Sequence, residues 1–326
     1  MSPPCDCLLA VLNARQVSLS TEDRMTLRYR LSLSGEAVDG LAAMQFEAVG
    51  LVRGEFILRE RLESLRVPAA REALQRYLSR VAEEFQSRSV WYRLVDLWSD
   101  EAAVLAGTPH EEREHNPMLG QRGVRRGLAD HALLQTELRL VVDVARQHRN
   151  LHILVPFVQD AGEFSDIAEK AIAAGHPNRL GSMLEVPSAL LDAGAFARAG
   201  ATNLLIGMND LSCLLLGRDR GPKDMKLHAA LWRLIKEARD ALPSGIELGI
   251  GGSLGAEVLA RADAAGIQYA SLHYSEAAAL LSLPAAAFPH AGHVRRIKEV
   301  TVKAKIAAGL HATRLADAVA PHRRPA

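Results

Sequence analysis

The sequence predicts an α/β fold: a (βα)8 TIM barrel with additional C-terminal helices. Three observations carry this reading. Short apolar, β-prone segments alternate eight times with longer amphipathic stretches, the pattern of parallel strands wrapped in helices. The eight units occupy about 260 residues, the usual length of such a barrel. No Pro/Gly/Ser-rich linker, short repeat or low-complexity tract interrupts them. A doubly wound open sheet produces the same local signals, and the count of eight units in this length favours the barrel.

The strands read as "LRYRLSL" (27–33), "AVGLVRG" (48–54), "VWYRLVDL" (90–97), "HILVPFV" (152–158), "LGSMLEV" (180–186), "TNLLIGM" (202–208), "IELGIG" (246–251) and "IQYASLHY" (267–274). Between them, "REALQRYLSRVAEEF", "LLQTELRLVVDVARQH", "FSDIAEKAIAAG", "LWRLIKEARDAL" and "GAEVLARADAAG" repeat apolar residues at three and four, the helical period. The stretch "HVRRIKEVTVKAKIAAGLHATRLADAV" reads as one or two helices closing the domain. The expectation is one domain over residues 1–326, with about 1–20 and 318–326 as flexible ends.

Composition narrows the function. A formal net charge of +1 gives no reason to expect nucleic acid or an anionic membrane, and 5% aromatics argues against a base-stacking surface. No apolar run has the length of a membrane span, and the N-terminus lacks the basic region of a secretory signal. A cytoplasmic protein is the expectation, and three cysteines fit a reducing compartment. Cys5-x-Cys7 has no second pair or nearby histidine to make a zinc site, and Cys213 reads as core. "HEEREH" (110–115) lacks the helical zinc spacing and reads as a solvated loop.

In such barrels chemistry sits at the C-terminal ends of the strands. That rule selects Arg53 and Glu55 after the second strand, Arg93 in the third, and Arg122 in the loop that follows it. It also selects Glu185 at the fifth strand, Asn209 and Asp210 at the sixth, Gly251, Gly252 and Ser253 at the seventh, and His273 and Tyr274 at the eighth. Glu185 and Asp210, at neighbouring strand ends, suit one hard cation such as Mg²⁺ (or Mn²⁺), which takes one or two carboxylates and leaves its other positions to water and substrate. Three arginines match a multiply anionic small molecule, and a divalent metal can hold the charge of a developing enolate. Each residue also has a structural reading. Arg93 can pair with Asp96, Glu185 can complement a helix dipole, and Asp210 can cap a helix. The glycine-rich "ELGIGGSLG" misses a nucleotide fingerprint, because Leu254 stands where the third glycine belongs.

At these residues the sequence resembles the C-terminal barrel of the phosphoenolpyruvate-utilising enzymes, most closely the synthase branch. The resemblance runs from about residue 36 to 285 and rests on "VGLVRGEFIL", "VWYRLVDLWSDE", "NPMLGQRGVRRGL", "GSMLEVPSALL" and "LLIGMNDLSCLLLGRDR", in that order. It implies a Mg²⁺ held by Glu185 and Asp210, with Arg53, Arg93, Arg122 and Asn209 around the phosphate and carboxylate of phosphoenolpyruvate. It implies a homodimer too, and a partner protein supplying the phosphohistidine or nucleotide-binding domain, since no segment here resembles the Gly-Gly-x-x-x-His loop of the family's swivelling domain.

Two positions depart from the pattern. Gly54 stands where threonine is usual. Gly251 stands where the family carries the cysteine that protonates the enolate carbon, and Ser253 replaces the polar residue that follows. Three functions stay open on these grounds. One is phosphoryl transfer, with His273 or Tyr274 or water as the proton source. Another is carbon–carbon bond formation or cleavage on an enolpyruvate. The third is a non-catalytic phosphoenolpyruvate-binding regulator.

Overall fold

The computed structural model describes residues 27–38, 46–219, 223–280 and 292–310. The expected flexible ends and the Cys5/Cys7 pair lie outside the described residues, as does the C-terminal stretch beyond residue 310.

Eight parallel strands follow one another round a closed barrel: β1 (Arg28–Leu33), β2 (Ala48–Arg53), β3 (Val90–Arg93), β4 (Leu151–Val155), β5 (Leu180–Leu184), β6 (Asn203–Gly207), β7 (Glu247–Gly251) and β8 (Tyr269–Leu272). β1 pairs with both β2 and β8, so the sheet has no edge and the open-sheet alternative is excluded. All eight expected strands are present.

Side chains alternate across each strand, and that alternation sorts the residues into two cores. Val90 and Tyr92 of β3 join the large core between sheet and helices, while Trp91 joins a lumen cluster with Leu51, Leu154, Met183, Leu205 and Tyr269. Towards the N-terminal end of the lumen, buried Arg30 lies 2.5 Å from Glu247 and stacks 3.9 Å over the Tyr269 ring. The Tyr269 hydroxyl donates to Asn203 Oδ1 at 2.9 Å. Gly249 permits this packing, since a Cβ there would overlap the Tyr269 ring.

The surrounding helices form where apolar spacing and end signals agree. Pro68–Phe85 starts with proline in its first turn and buries Leu74, Leu78, Val81 and Phe85 along one face. His131–Gln147 is capped by Asp130, whose side chain accepts from Leu133 N at 3.0 Å. The expected closing helix is present as His293–Ala307, packed on Glu55–Arg61 through Arg59 Nε donating to Thr301 Oγ1 at 2.9 Å. Its Lys305 reaches Asp100 at 2.6 Å. No helix among the described residues is long and apolar enough to cross a membrane.

Glu137, on His131–Gln147, is buried behind β3 and accepts from the Tyr92 hydroxyl and from Val95 N, both at 2.7 Å. Burial pushes its carboxyl up to about 7, against the lowering effect of those two bonds. Because the folded value lies above the unfolded one, the associated stability is full below about pH 4.5 and is lost as pH rises through about 7. Glu137→Gln should remove this loss, on the order of 3 kcal/mol. Denaturant melts of both proteins across pH 4.5–8 check it, and parallel curves would contradict it.

Candidate functional site

All the predicted residues except Tyr274 converge on the C-terminal mouth. Arg53 and Arg93 are the last residues of β2 and β3 and lie in register. Glu185 follows β5 directly. Asn209 and Asp210 occupy the first turn of helix Met208–Leu216, which begins immediately after β6. Gly251 ends β7 and Gly252 and Ser253 turn away from it, while His273 follows β8. Arg122 enters from the β3–β4 crossover at the N-cap of helix Gly123–Ala129.

Glu185 and Asp210 are both buried, each about 3% exposed. Glu185 Oε1 accepts from Phe157 N at 2.9 Å, presented by a left-handed residue (φ 52°) just after β4. Its other oxygen lies against β6, where a Cβ at Gly207 would meet Oε2 at 2.5 Å, so only glycine lets Glu185 sit there. Burial first, and the neighbouring Asp210 second, hold the Glu185 carboxyl above its ordinary range. Neither structural reading accounts for these acids. Gly207, not Asp210, is the N-cap residue of its helix, and the carboxylate of Glu185 is engaged with the β4 loop. Among the described residues no group of three or more His, Cys, Asp or Glu side chains could hold a metal. A metal here would therefore rest on this pair. Two buried, mutually repelling carboxylates offering only oxygen fit a hard divalent cation.

The arginines differ in how far their charge is already matched. Arg122 is held by Asp96 through Nε–Oδ1 at 2.9 Å and Nη2–Oδ2 at 2.5 Å, and reaches Asp210 Oδ2 at 3.1 Å. Its guanidinium lies 4.0 Å over the Phe157 ring. Arg93 pairs with Glu55 and lies 3.5 Å from Asp96, so the structural pairing expected for it is also present. Burial would lower both guanidinium pKa values, but these carboxylates outweigh it and raise them. Arg53 makes no ion pair within 4 Å among the described residues. It donates to the Ser34 hydroxyl at 2.5 Å, and burial, with Arg93 nearby, lowers its pKa. Of the three it is the cation least neutralised by the protein.

On the β8 side, His273 Nε2 lies 2.9 Å from Glu36 Oε1, and Glu36 Oε2 accepts from Ser34 N at 2.6 Å. Glu276 gathers the neighbouring loops by accepting from His273 N at 2.7 Å and Leu254 N at 2.8 Å. Tyr274 packs in the core between sheet and helices rather than in the lumen-facing layer of His273. At Gly251 a Cβ would meet Leu205 Cδ1 at 3.7 Å and Ser271 Cβ at 3.8 Å, ordinary contacts, so the position has room for a side chain. Gly54 is different: a Cβ there would come within 2.8 Å of the Tyr92 hydroxyl, so Tyr92 occupies the space a threonine needs. His110 and His115 lie exposed, as expected of a solvated loop.

The sequence reading named neither Lys226, which the strand-end rule cannot reach, nor Ser34 and Glu36, which that rule would reach at the end of the first strand. Lys226 lies in a polar connection with no apolar period, while Ser34 and Glu36 follow β1 directly, so their position at a strand end was the available signal.

A closed parallel barrel thus gathers acids and arginines at its C-terminal mouth, the face at which such barrels carry their functional loops. The sequence profile of the PEP-utilising enzyme, PEP-binding domain matches residues 13–281. The chain belongs to that family. It is 31% identical over 238 residues to the probable phosphoenolpyruvate synthase of Methanocaldococcus jannaschii, covering 68% of this chain and 20% of that protein. It is 36% identical over 177 residues to the probable phosphoenolpyruvate synthase of Methanothermobacter thermautotrophicus, covering 51% of this chain and 26% of that protein. The matches thus span about a fifth to a quarter of those relatives' length. Among solved structures, an HpcH/HpaI aldolase/citrate lyase family protein of Burkholderia cenocepacia superposes with a TM-score of 0.45 at 13% identity, covering 84% of this chain and 96% of the other.

Proposed function

We propose that the barrel mouth binds phosphoenolpyruvate, pyruvate or a close analogue together with Mg²⁺ (or Mn²⁺), and that it serves phosphoryl transfer. The observation that carries this is the gathering of a buried carboxylate pair, Glu185 and Asp210, with three arginines at one barrel mouth. Glu185 and Asp210 would hold the metal, which when bound supplies Lewis-acid stabilisation of negative charge on substrate oxygen. Arg53, the least neutralised cation, takes an anionic group of the substrate. Arg93 and Arg122, fixed by Glu55 and Asp96, keep a rigid donor array around it. Asn209 adds a neutral donor.

In the transfer direction the bond between phosphorus and the enol oxygen breaks, and the phosphoryl group passes to an acceptor nitrogen. We assign that acceptor to a histidine of a separate phosphohistidine-carrying protein. The enolate left behind takes a proton at its terminal carbon to give pyruvate. Gly251 has no proton to give, so His273, beside it at the next strand end and held by Glu36, or water, fills that role. The homodimer implied by the resemblance belongs to the same proposal.

The room at Gly251 favours a second reading, in which a carbon electrophile rather than a proton meets the enolate and a carbon–carbon bond forms or breaks. A ³¹P and ¹H NMR time course with phosphoenolpyruvate, Mg²⁺ and protein separates them, with an acceptor panel of a histidine phosphocarrier, aldehydes and acyl donors. Loss of the enol phosphate signal with growth of pyruvate supports transfer. A new carbon skeleton supports the second reading, and Mg²⁺-dependent binding without product indicates a regulator.

A further inference from the structure

Lys226 sits in a short 3-10 helix, Lys223–Leu227, and is about 6% exposed although lysine seldom is. Its ammonium donates to Asn209 Oδ1 at 2.7 Å, to Gly252 O at 2.6 Å and to Ser253 O at 2.9 Å. The Trp232 indole donates to the Lys226 carbonyl at 2.7 Å and ties this turn to helix Ala229–Asp240. These three acceptors, found among the described residues, match the three protons an ammonium can donate. The carbonyls belong to Gly252 (φ 103°) and Ser253 (φ 50°), the left-handed pair that turns the chain away from β7.

We infer that Lys226 is a positioning residue that fixes the Asn209 amide with its NH2 group facing the mouth. The inference rests on the proposed anion-binding role of that mouth. A cation can be accepted only by the amide oxygen, so its bond to Oδ1 decides which end of a nearly symmetrical side chain is the donor. Nδ2 is then turned to the β7 loop, where a Cβ on Gly252 would come within 3.0 Å of it. Among the described residues no acceptor takes a hydrogen bond from Nδ2, which leaves it for a substrate oxygen. The same ammonium pins the Gly252–Ser253 turn, so one residue sets two neighbouring loops. Its ammonium points at these three oxygens, so Lys226 is not placed as a Schiff-base nucleophile.

The test uses the whole chain and two readouts. In the free protein, the side-chain NH2 resonances of Asn209, assigned by their loss in Asn209→Ala, should form one well-dispersed pair. Lys226→Met should collapse that dispersion, and Lys226→Arg should partly restore it. An Asn209 amide signal unchanged in Lys226→Met overturns the inference whatever the protein binds. Calorimetric titration with phosphoenolpyruvate and Mg²⁺ gives the second readout. Lys226→Met should weaken binding about tenfold, the size of one hydrogen bond to a charged group. It should add nothing in an Asn209→Ala background, because the two act as one unit. Additive losses overturn the inference, as does a borohydride-trapped pyruvate adduct on Lys226. If the wild type binds no phosphoenolpyruvate while its Asn209 amide still depends on Lys226, the ligand reading fails and the positioning role stands.

Discussion

Glu185→Ala combined with Asp210→Ala should abolish Mg²⁺-dependent phosphoenolpyruvate binding, a loss of about 100-fold or more, and leave the barrel folded. The fold survives because neither acid is a structural keystone. Arg122 keeps its two bonds to Asp96 when Asp210 is removed, and truncating Glu185 leaves only Phe157 N without its acceptor. The variant loses the Asp210 contact to Arg122 and leaves Phe157 N without its acceptor, costs that the relieved repulsion between the two carboxylates only partly offsets, so it should melt somewhat lower than wild type while keeping a cooperative transition. Mg²⁺ should raise the melting temperature of the wild type by mass action and have no effect on the variant. Thermal melts with and without Mg²⁺ test both statements. A variant that still responds to Mg²⁺ would place the metal elsewhere.

Gly251→Cys should speed protonation of the enolate by about 10²–10⁴-fold, the usual value of a placed general acid. The position accepts the side chain. Its backbone lies outside the left-handed region, and the added Cβ meets only Leu205 and Ser271 at van der Waals distance. Gly251→Ala is the control, since it fills the space without supplying a proton. If the chain performs phosphoryl transfer, Gly251→Cys gains pyruvate formation and Gly251→Ala does not. If the space serves a carbon electrophile, both variants lose the carbon–carbon product in proportion to the volume they fill. Pyruvate formation unchanged in Gly251→Cys would show that protonation at this strand end does not limit turnover. The same chemistry can be probed from β8 with His273→Ala, which should slow protonation only in the glycine background.

The fold was legible because closed parallel barrels write their period into the chain, and strand ends were misread where local geometry overrides apolar pattern. The apolar run from Val90 reads as a strand to residue 97, yet β3 stops at Arg93, because Val95 N turns to the buried Glu137 instead of a sheet partner. β4 stops at Val155, where Pro156 offers no N–H and Phe157 takes a left-handed turn. Arg53, Glu185 and Asp210 could be read from sequence because each follows an apolar run at a predictable strand end, whereas Arg93 interrupts a run expected to continue to residue 97 and ends its strand only in the structure. Lys226 could not, because its three acceptors come from the β6 and β7 loops and its own stretch has no period. The His273–Glu36 contact joins opposite ends of the chain across the β8–β1 closure, which only the closed barrel brings together.

The glycines of β7 and the turn after it have separate tasks that sequence alone merges into one motif. Gly249 makes way for Tyr269, and Gly252 takes the left-handed turn that Lys226 pins. Gly251 has neither constraint, and it is the position at which the resemblance implies a cysteine.

The central claim is that Glu185 and Asp210 hold a divalent metal through which the mouth binds phosphoenolpyruvate. Calorimetric titration of the wild type and the double alanine variant with phosphoenolpyruvate, each with Mg²⁺ and with chelator, tests it most directly. Saturable binding that requires both Mg²⁺ and the two carboxylates is the predicted result. Binding that persists in chelator, or that the double variant retains, would contradict it.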